Sequence, residues 1–257
     1  MKNILLIVAA SVLLGVQAAL AGDFTYWLNS AKEAKGAPAI EAYTKALESW
    51  TESDGATAKA TALRNRAQLY FWPGNAANKV VADMTESIKL DASNWESFHF
   101  RAWSYYHLSE YGKAAADHAK TVELHPTDPY LAFSASLCWM LEGSAKKSLE
   151  AAKRSLEIDP KFGWAYSQLG FGALEAGDAA AAIPSFEKAV ELNAKDPSAR
   201  LGLAMSYLQQ KKGTPAKENF KKALELAPDL DAIDLWMSAK RRYTPKQKAL
   251  IKRLKTA

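Results

Sequence analysis

Apolar and polar positions alternate along this chain with the period of an α-helix, in segments of about a dozen residues. Residues 163–196 show the pattern well. Trp164 to Glu175 carries Tyr166, Leu169, Ala173 and Leu174 at helical spacing, and Gly177-Asp178 breaks the segment. Ala179 to Leu192 then places Ala182, Phe186, Ala189 and Val190 on one stripe, and Asp196-Pro197 closes the unit. Each unit therefore reads as two helices joined by a tight turn. Thr214-Pro215 and Thr244-Pro245 set a capping hydroxyl before a proline, which costs nothing in a first helical turn. Pro184 lies inside its segment and is expected to bend that helix.

The unit repeats. Leu90, Leu124, Ile158, Leu192 and Leu226 stand 34 residues apart. Glu123, Glu157, Glu191 and Glu225 keep the same step, as do Lys120, Arg154, Lys188 and Lys222, and as do the small residues Ala114, Ser148, Ala182 and Ala216. Basic and acidic members sit one turn apart on what should be a solvated face, where each pair adds only a few tenths of a kcal/mol. A two-helix unit cannot bury its apolar faces alone, so such units must stack.

The fixed residues inside the period resemble the tetratricopeptide repeat (TPR) family. The clearest copy is Arg101-Ala102, Tyr105, Tyr111-Gly112-Lys113-Ala114, Asp117 and Glu123-Leu124-His125-Pro126. Leu169-Gly170 with Phe186 and Ala189 makes another. Ala204, Tyr207, Ala216, Phe220, Ala223 and Pro228 make a third. The 129–162 copy has Trp139 at the aromatic position and Ser155 in place of alanine. The 60–94 copy has one extra residue near Trp72-Pro73-Gly74, and the first copy rests on Ala39-Ile40, Tyr43 and Ala46-Leu47. The resemblance implies an all-α fold, an α-α superhelix (TPR solenoid) of antiparallel helix pairs over residues 22–229, with five to six repeats. Residues 230–257 are expected to add a capping helix, Leu230 to Arg242, and a final basic helix, Pro245 to Lys255.

Composition agrees with a helical chain. Of 257 residues, 48 are alanine, the best helix former, against 13 glycines and 10 prolines. Residues 1–21 read as a cleaved signal peptide: Lys2, an apolar run from Ile4 to Val16, then Ala19-Leu20-Ala21. That expectation places the mature protein in the periplasm or outside the cell. Cys138, the single cysteine, lies in an apolar helical stretch and reads as a buried thiol. The formal charge of +5 is unevenly spread. Residues 235–257 hold Lys240, Arg241, Arg242, Lys246, Lys248, Lys252, Arg253 and Lys255 with no acidic residue, whereas residues 22–234 hold 24 basic and 28 acidic ones. The tail is a candidate for an anionic membrane surface or an envelope polymer, or it is a solubilising cap whose apolar side covers the last repeat. Export and the acidic body argue against nucleic acid.

The resemblance places the first helix of each pair on a concave, ligand-binding face. By helical phase that face carries Phe71, His99, Trp103, Tyr106, Tyr130, Phe133, Leu137, Trp164 and Phe171, with Trp103 and Tyr106 the favoured exposed groove residues. So aromatic a groove suits an apolar peptide or amphipathic helix. The competing expectation is that these side chains pack against neighbouring repeats or the chain's own N-terminal helices. His99 and His107 share a helix face, but their spacing matches no zinc signature. No nucleophile elbow, phosphate-cradling loop or paired-carboxylate motif stands out. The expected function is a non-catalytic interaction scaffold of the cell envelope, with no metal and no cofactor.

Overall fold

The structure, a computed structural model, describes residues 23–72, 74, 76–227 and 243–256. The expected signal peptide and the expected capping helix at 230–242 lie outside the described residues, as do Lys240, Arg241 and Arg242. Among the described residues the regular structure is helical throughout, with no strand. The chain divides into two compact units, one ending at Ser109 and the other beginning at Glu110.

The first unit holds α1 (Phe24–Glu33), α2 (Ala37–Ser49), a single 3-10 turn (Glu52–Asp54), α3 (Ala56–Phe71), α4 (Ala77–Leu90) and α5 (Trp95–His107). α1 pairs with α2 and α3 with α4, and α5 packs on both α4 and α3. Phe24, Ala31, Ala42, Tyr43, Ala46 and Ala62 form one core, with Trp27, Leu28 and Trp50 along its edge. Ala67, Val80 and Met84 form a second, against Tyr70, Phe71 and Phe100. A paired charge is set between α3 and α4: Arg66 Nε and Nη2 donate to the two carboxylate oxygens of Asp83 at 2.9 and 2.7 Å. Burial opposes the Arg66 charge, but the hydrogen bonds and attraction of Asp83 outweigh it and hold the guanidinium pKa above its ordinary value.

The second unit holds α6 (Tyr111–Leu124), α7 (Pro129–Leu141), α8 (Ala145–Ile158), α9 (Gly163–Ala176), α10 (Ala179–Leu192), α11 (Pro197–Gln209), α12 (Gly213–Leu226) and α13 (Pro245–Thr256). Consecutive helices pack together from α6 to α12, and α9 also touches α7 and α11. α7, α9 and α11 thus form an inner layer, with α8, α10 and α12 behind it. The period explains the ends: Leu90, Leu124, Ile158, Leu192 and Leu226 are each the last residue of a second helix. The recurrent small residues Ala114, Ser148, Ala182 and Ala216 are all buried, as helix approach requires. Where a hydroxyl replaces alanine it finds an acceptor: Ser155 Oγ donates to the Pro129 carbonyl at 2.7 Å.

Local signals behave mostly as read. Gly177 ends α9 in the left-handed region, φ 86°. Its N–H bonds the Leu174 carbonyl at 3.0 Å, and that of Asp178 bonds the Ala173 carbonyl at 2.9 Å. Asp178 and Asp196 then cap α10 and α11 through Ala181 N–H and Ser198 N–H. α10 runs through Pro184 from Ala179 to Leu192 as one helix; Ala180, whose carbonyl loses its partner, is on the surface, where water can replace the bond. One expectation needs correction. α12 starts one residue before Thr214, so Thr214 is inside the first turn and no side chain caps that helix. Three of the four expected surface pairs form, at 2.6–2.9 Å. In the last, Glu225 approaches Lys221 at 4.0 Å in place of Lys222.

Candidate functional site

In the second unit the inner layer has two halves of different character. Near the N-termini of α7 and α9, four rings meet edge to face or tilted. Tyr130 lies 6.0 Å from both Phe133 and Trp164, and Phe133 lies 5.8 Å from Trp164 and 5.9 Å from Phe162. Asp128 positions Tyr130 by capping α7, accepting the Tyr130 N–H at 2.8 Å, with Pro129 in the first turn. Trp164 keeps 44% of its surface exposed, and Phe133 and Tyr130 are half-buried. Burial pushes the Tyr130 phenol upward despite the Ser134 hydrogen bond, so it stays a neutral donor and acceptor. Three of these four residues were expected on this face. Phe162 was not, because it precedes α9 and lies outside the helical phase.

Toward the C-terminal ends of the same helices the layer is covered. Leu137 and Phe171, expected in an open groove, are buried at 3% and 0% exposure. Phe171 contacts Phe186 behind it at 4.9 Å and Tyr243 in front of it at 6.2 Å. Tyr243 leads into α13, which packs on α11 and α12 and turns Gln247, Leu250, Ile251 and Leu254 inward. Its start is tied to the inner layer. The Thr244 hydroxyl donates to the Glu175 carboxylate. Lys246 Nζ donates to the Glu175 carbonyl at 2.7 Å, and Gln247 Nε2 to Met140 Sδ at 3.6 Å. Thr244 and Gln247 also complete a capping box, each side chain bonded to the other's N–H at 3.2 Å. The Thr-Pro signal marked this start. The Gln three residues later was the available signal for the box, and the spacing 247, 250, 251, 254 was the signal for docking. Lys248, Lys252, Arg253 and Lys255 of the expected anionic-surface tail lie on the outer side of α13 and are exposed; Lys246 is exposed too, but its Nζ is turned to Glu175.

The first unit carries its own aromatic row. On α5, Trp95, His99 and Trp103 follow at steps of four, with ring separations of 5.8 and 6.4 Å. Trp103 meets Tyr106 at 5.2 Å, and Phe71 meets Phe100 at 5.1 Å. Phe71, His99 and Trp103 are half-buried. Tyr106 departs from expectation: it shares the helix face of His99, seven residues before it, yet it is buried, at 5% exposure, packed edge-on against Trp103 and against His107 at 5.8 Å. An open cavity of about 580 Å³ lies beside this row, lined by Gly74, Ala77, Asn78, Lys79, His107 and Leu108 among others.

Among the described residues no group of three or more His, Cys, Asp or Glu side chains is arranged to hold a metal ion. Cys138 is fully buried, and burial drives its thiol pKa strongly upward. No described helix is long and apolar enough to cross a membrane.

Stacked two-helix units with an inner layer of first helices define a helical-repeat protein. Residues 173–239 match the family model described as tetratricopeptide repeat. Over 110 residues the chain is 30% identical to a small glutamine-rich tetratricopeptide repeat-containing protein 2 of Mycosarcoma maydis, a stretch covering 43% of this chain and 31% of that one. It is 27% identical over 110 residues to anaphase-promoting complex subunit 3 of Schizosaccharomyces pombe, covering 43% of this chain and 16% of that one. The chain thus spans less than a third of the length of these curated relatives. Among solved structures, the C-terminal part of a TPR repeat-containing protein from Cytophaga hutchinsonii matches with a TM-score of 0.63 at 18% identity, covering 93% of this chain and 96% of that one. YrrB, described as a TPR protein with an unusual peptide-binding site, matches with a TM-score of 0.56 at 21% identity, covering 76% and 99%. At these identities the structures establish the fold. The fold is thus that of a TPR solenoid, and residues 173–239 match the repeat's own family model; TPR proteins generally mediate protein–protein interaction.

Proposed function

We propose that this protein is a non-catalytic interaction scaffold of the cell envelope, periplasmic or secreted, that binds a segment of a partner protein on the inner layer of its second unit. The observation that carries the reading is the cluster of Tyr130, Phe133, Phe162 and Trp164. A half-open group of four contacting rings exposes apolar area at little rotamer cost, the composition of an interface anchor. The envelope location rests on the apolar N-terminal segment with its small-residue cleavage pattern. The test is affinity capture with the full chain and with Phe133→Ala plus Trp164→Ala. The variant is expected to lose its partner while keeping wild-type helicity. Partner retention by a folded variant would remove the site.

A second reading has one observation in its favour: four bases, Lys248, Lys252, Arg253 and Lys255, share the outer side of α13. On this reading that side associates with an anionic lipid surface or an acidic envelope polymer. The helix would act through charge alone, since its apolar side is already buried. Association with anionic vesicles that survives high salt would contradict it.

A further inference from the structure

We propose that α13 is the chain's own ligand for the inner layer of the second unit, and that a short, basic, N-capped amphipathic helix of a partner protein binds there in its place. The proposal rests on the scaffold reading above and names the partner chemistry of one half of that layer.

The placement of α13 is what points to a ligand. A helix that only covered the last pair would touch α11 and α12. This one touches both and also reaches back, through Tyr243 to Phe171 of α9, through Thr244 and Lys246 to Glu175, and through Gln247 to Met140 of α7. It therefore crosses three successive first helices, as an extended binding surface is crossed by what it binds.

The contacts specify the occupant. Gln247, Leu250, Ile251 and Leu254 are buried, an i, i+3, i+4, i+7 stripe that anchors a helix in an apolar groove. Lys246 meets a carbonyl in the last turn of α9, where the unsatisfied carbonyl end of a helix favours a cation. Thr244 supplies both a cap and the Glu175 contact. The occupant is thus capped by a hydroxyl, basic in its first turn and apolar at three later positions. Its own stability is low. Twelve residues carrying five bases and no acid make a marginal helix in water, so α13 owes its order to the groove. An element that is helical only when docked exchanges with a competitor of the same pattern.

The test uses the full chain. Leu250→Glu plus Ile251→Glu should release α13. A fluorescent peptide of residues 243–256 is then titrated into wild type and variant and read by anisotropy. The variant is expected to bind at least about tenfold more tightly than wild type, whose groove is mostly occupied. The same peptide carrying both substitutions should show no saturable binding. Equal binding to the two proteins, or none to a variant that still melts cooperatively, would overturn the proposal. So would a concentration-dependent doubling of wild-type mass through α13, which would make the occupant a second copy. If the variant does not fold, hydrogen exchange on wild type decides: α13 amides exchanging about tenfold or more faster than those of α11 support a displaceable helix, and equal protection overturns it. The aromatic cluster is not part of this groove half, so loss of the peptide result with a retained Phe133/Trp164 effect removes only this inference.

Discussion

At the residue scale, Phe186 shows how the second unit is tuned. Its fully buried ring sits where a Cβ on Gly170 would approach to 2.7 Å and one on Gly202 to 2.2 Å. Phe171, 4.9 Å away, limits its retreat. Gly202→Ala should therefore cost about 1–3 kcal/mol, read as a lower melting temperature. Gly172→Ala, one position on from Phe171 with nothing within 4 Å of the new Cβ, should gain up to about 1 kcal/mol from helix propensity. Gly170 was legible in the sequence because it belongs to the repeat pattern. Gly202 was not, because its partner Phe186 is 16 residues earlier and only the stacking of α11 on α10 brings them together. Cys138 makes a second residue-scale case. Its folded pKa is raised by burial, so below the ordinary thiol value near 9.0 both folded and unfolded states hold the proton. Above it, only the unfolded state gives the proton up. Stability should fall as pH rises past that value, and the slope of melting temperature against pH should flatten in Cys138→Ala. In the native protein the thiol should resist thiol reagents until unfolding exposes it.

At the element scale, the 34-residue period placed the helices well, since α10 begins and ends where the apolar stripe does. The turn chemistry was equally legible at Gly177. Gly177→Ala puts a Cβ at φ 86° and should cost about 1 kcal/mol in thermal or urea unfolding, with the fold intact. Pro184 does not end its helix, because a helix tolerates a lost bond on its wet side. Thr214 misled because capping depends on which residue leaves the helical backbone, and that is decided by the turn at Lys211, φ 59°. α13 was expected from its Thr-Pro start, but its resting place was not legible. Amphipathicity says that a helix must bury one side, and the surface it buries against is a property of the folded unit.

At the scale of the whole molecule, the aromatic residues that read as one groove divide three ways. Phe71, His99 and Trp103 stand half-buried in the first unit, with Tyr106 buried beside them. Tyr130, Phe133 and Trp164 form an open cluster with Phe162 in the second. Leu137 and Phe171 are buried, Phe171 behind the segment that leads into α13. Helical phase assigned these residues to one face but carried no information on what lies over it. The central claim is that the open cluster is where the protein meets its partner. The most direct measurement is site-specific photo-crosslinking in the native host, with the photoreactive residue placed at Phe133, at Trp164, and at Lys188 on the outer side of α10. The account predicts one common crosslinked protein from positions 133 and 164 and none from 188. Crosslinks from 188 equal to those from 133 and 164, or none from the cluster while the partner is co-purified, would contradict it.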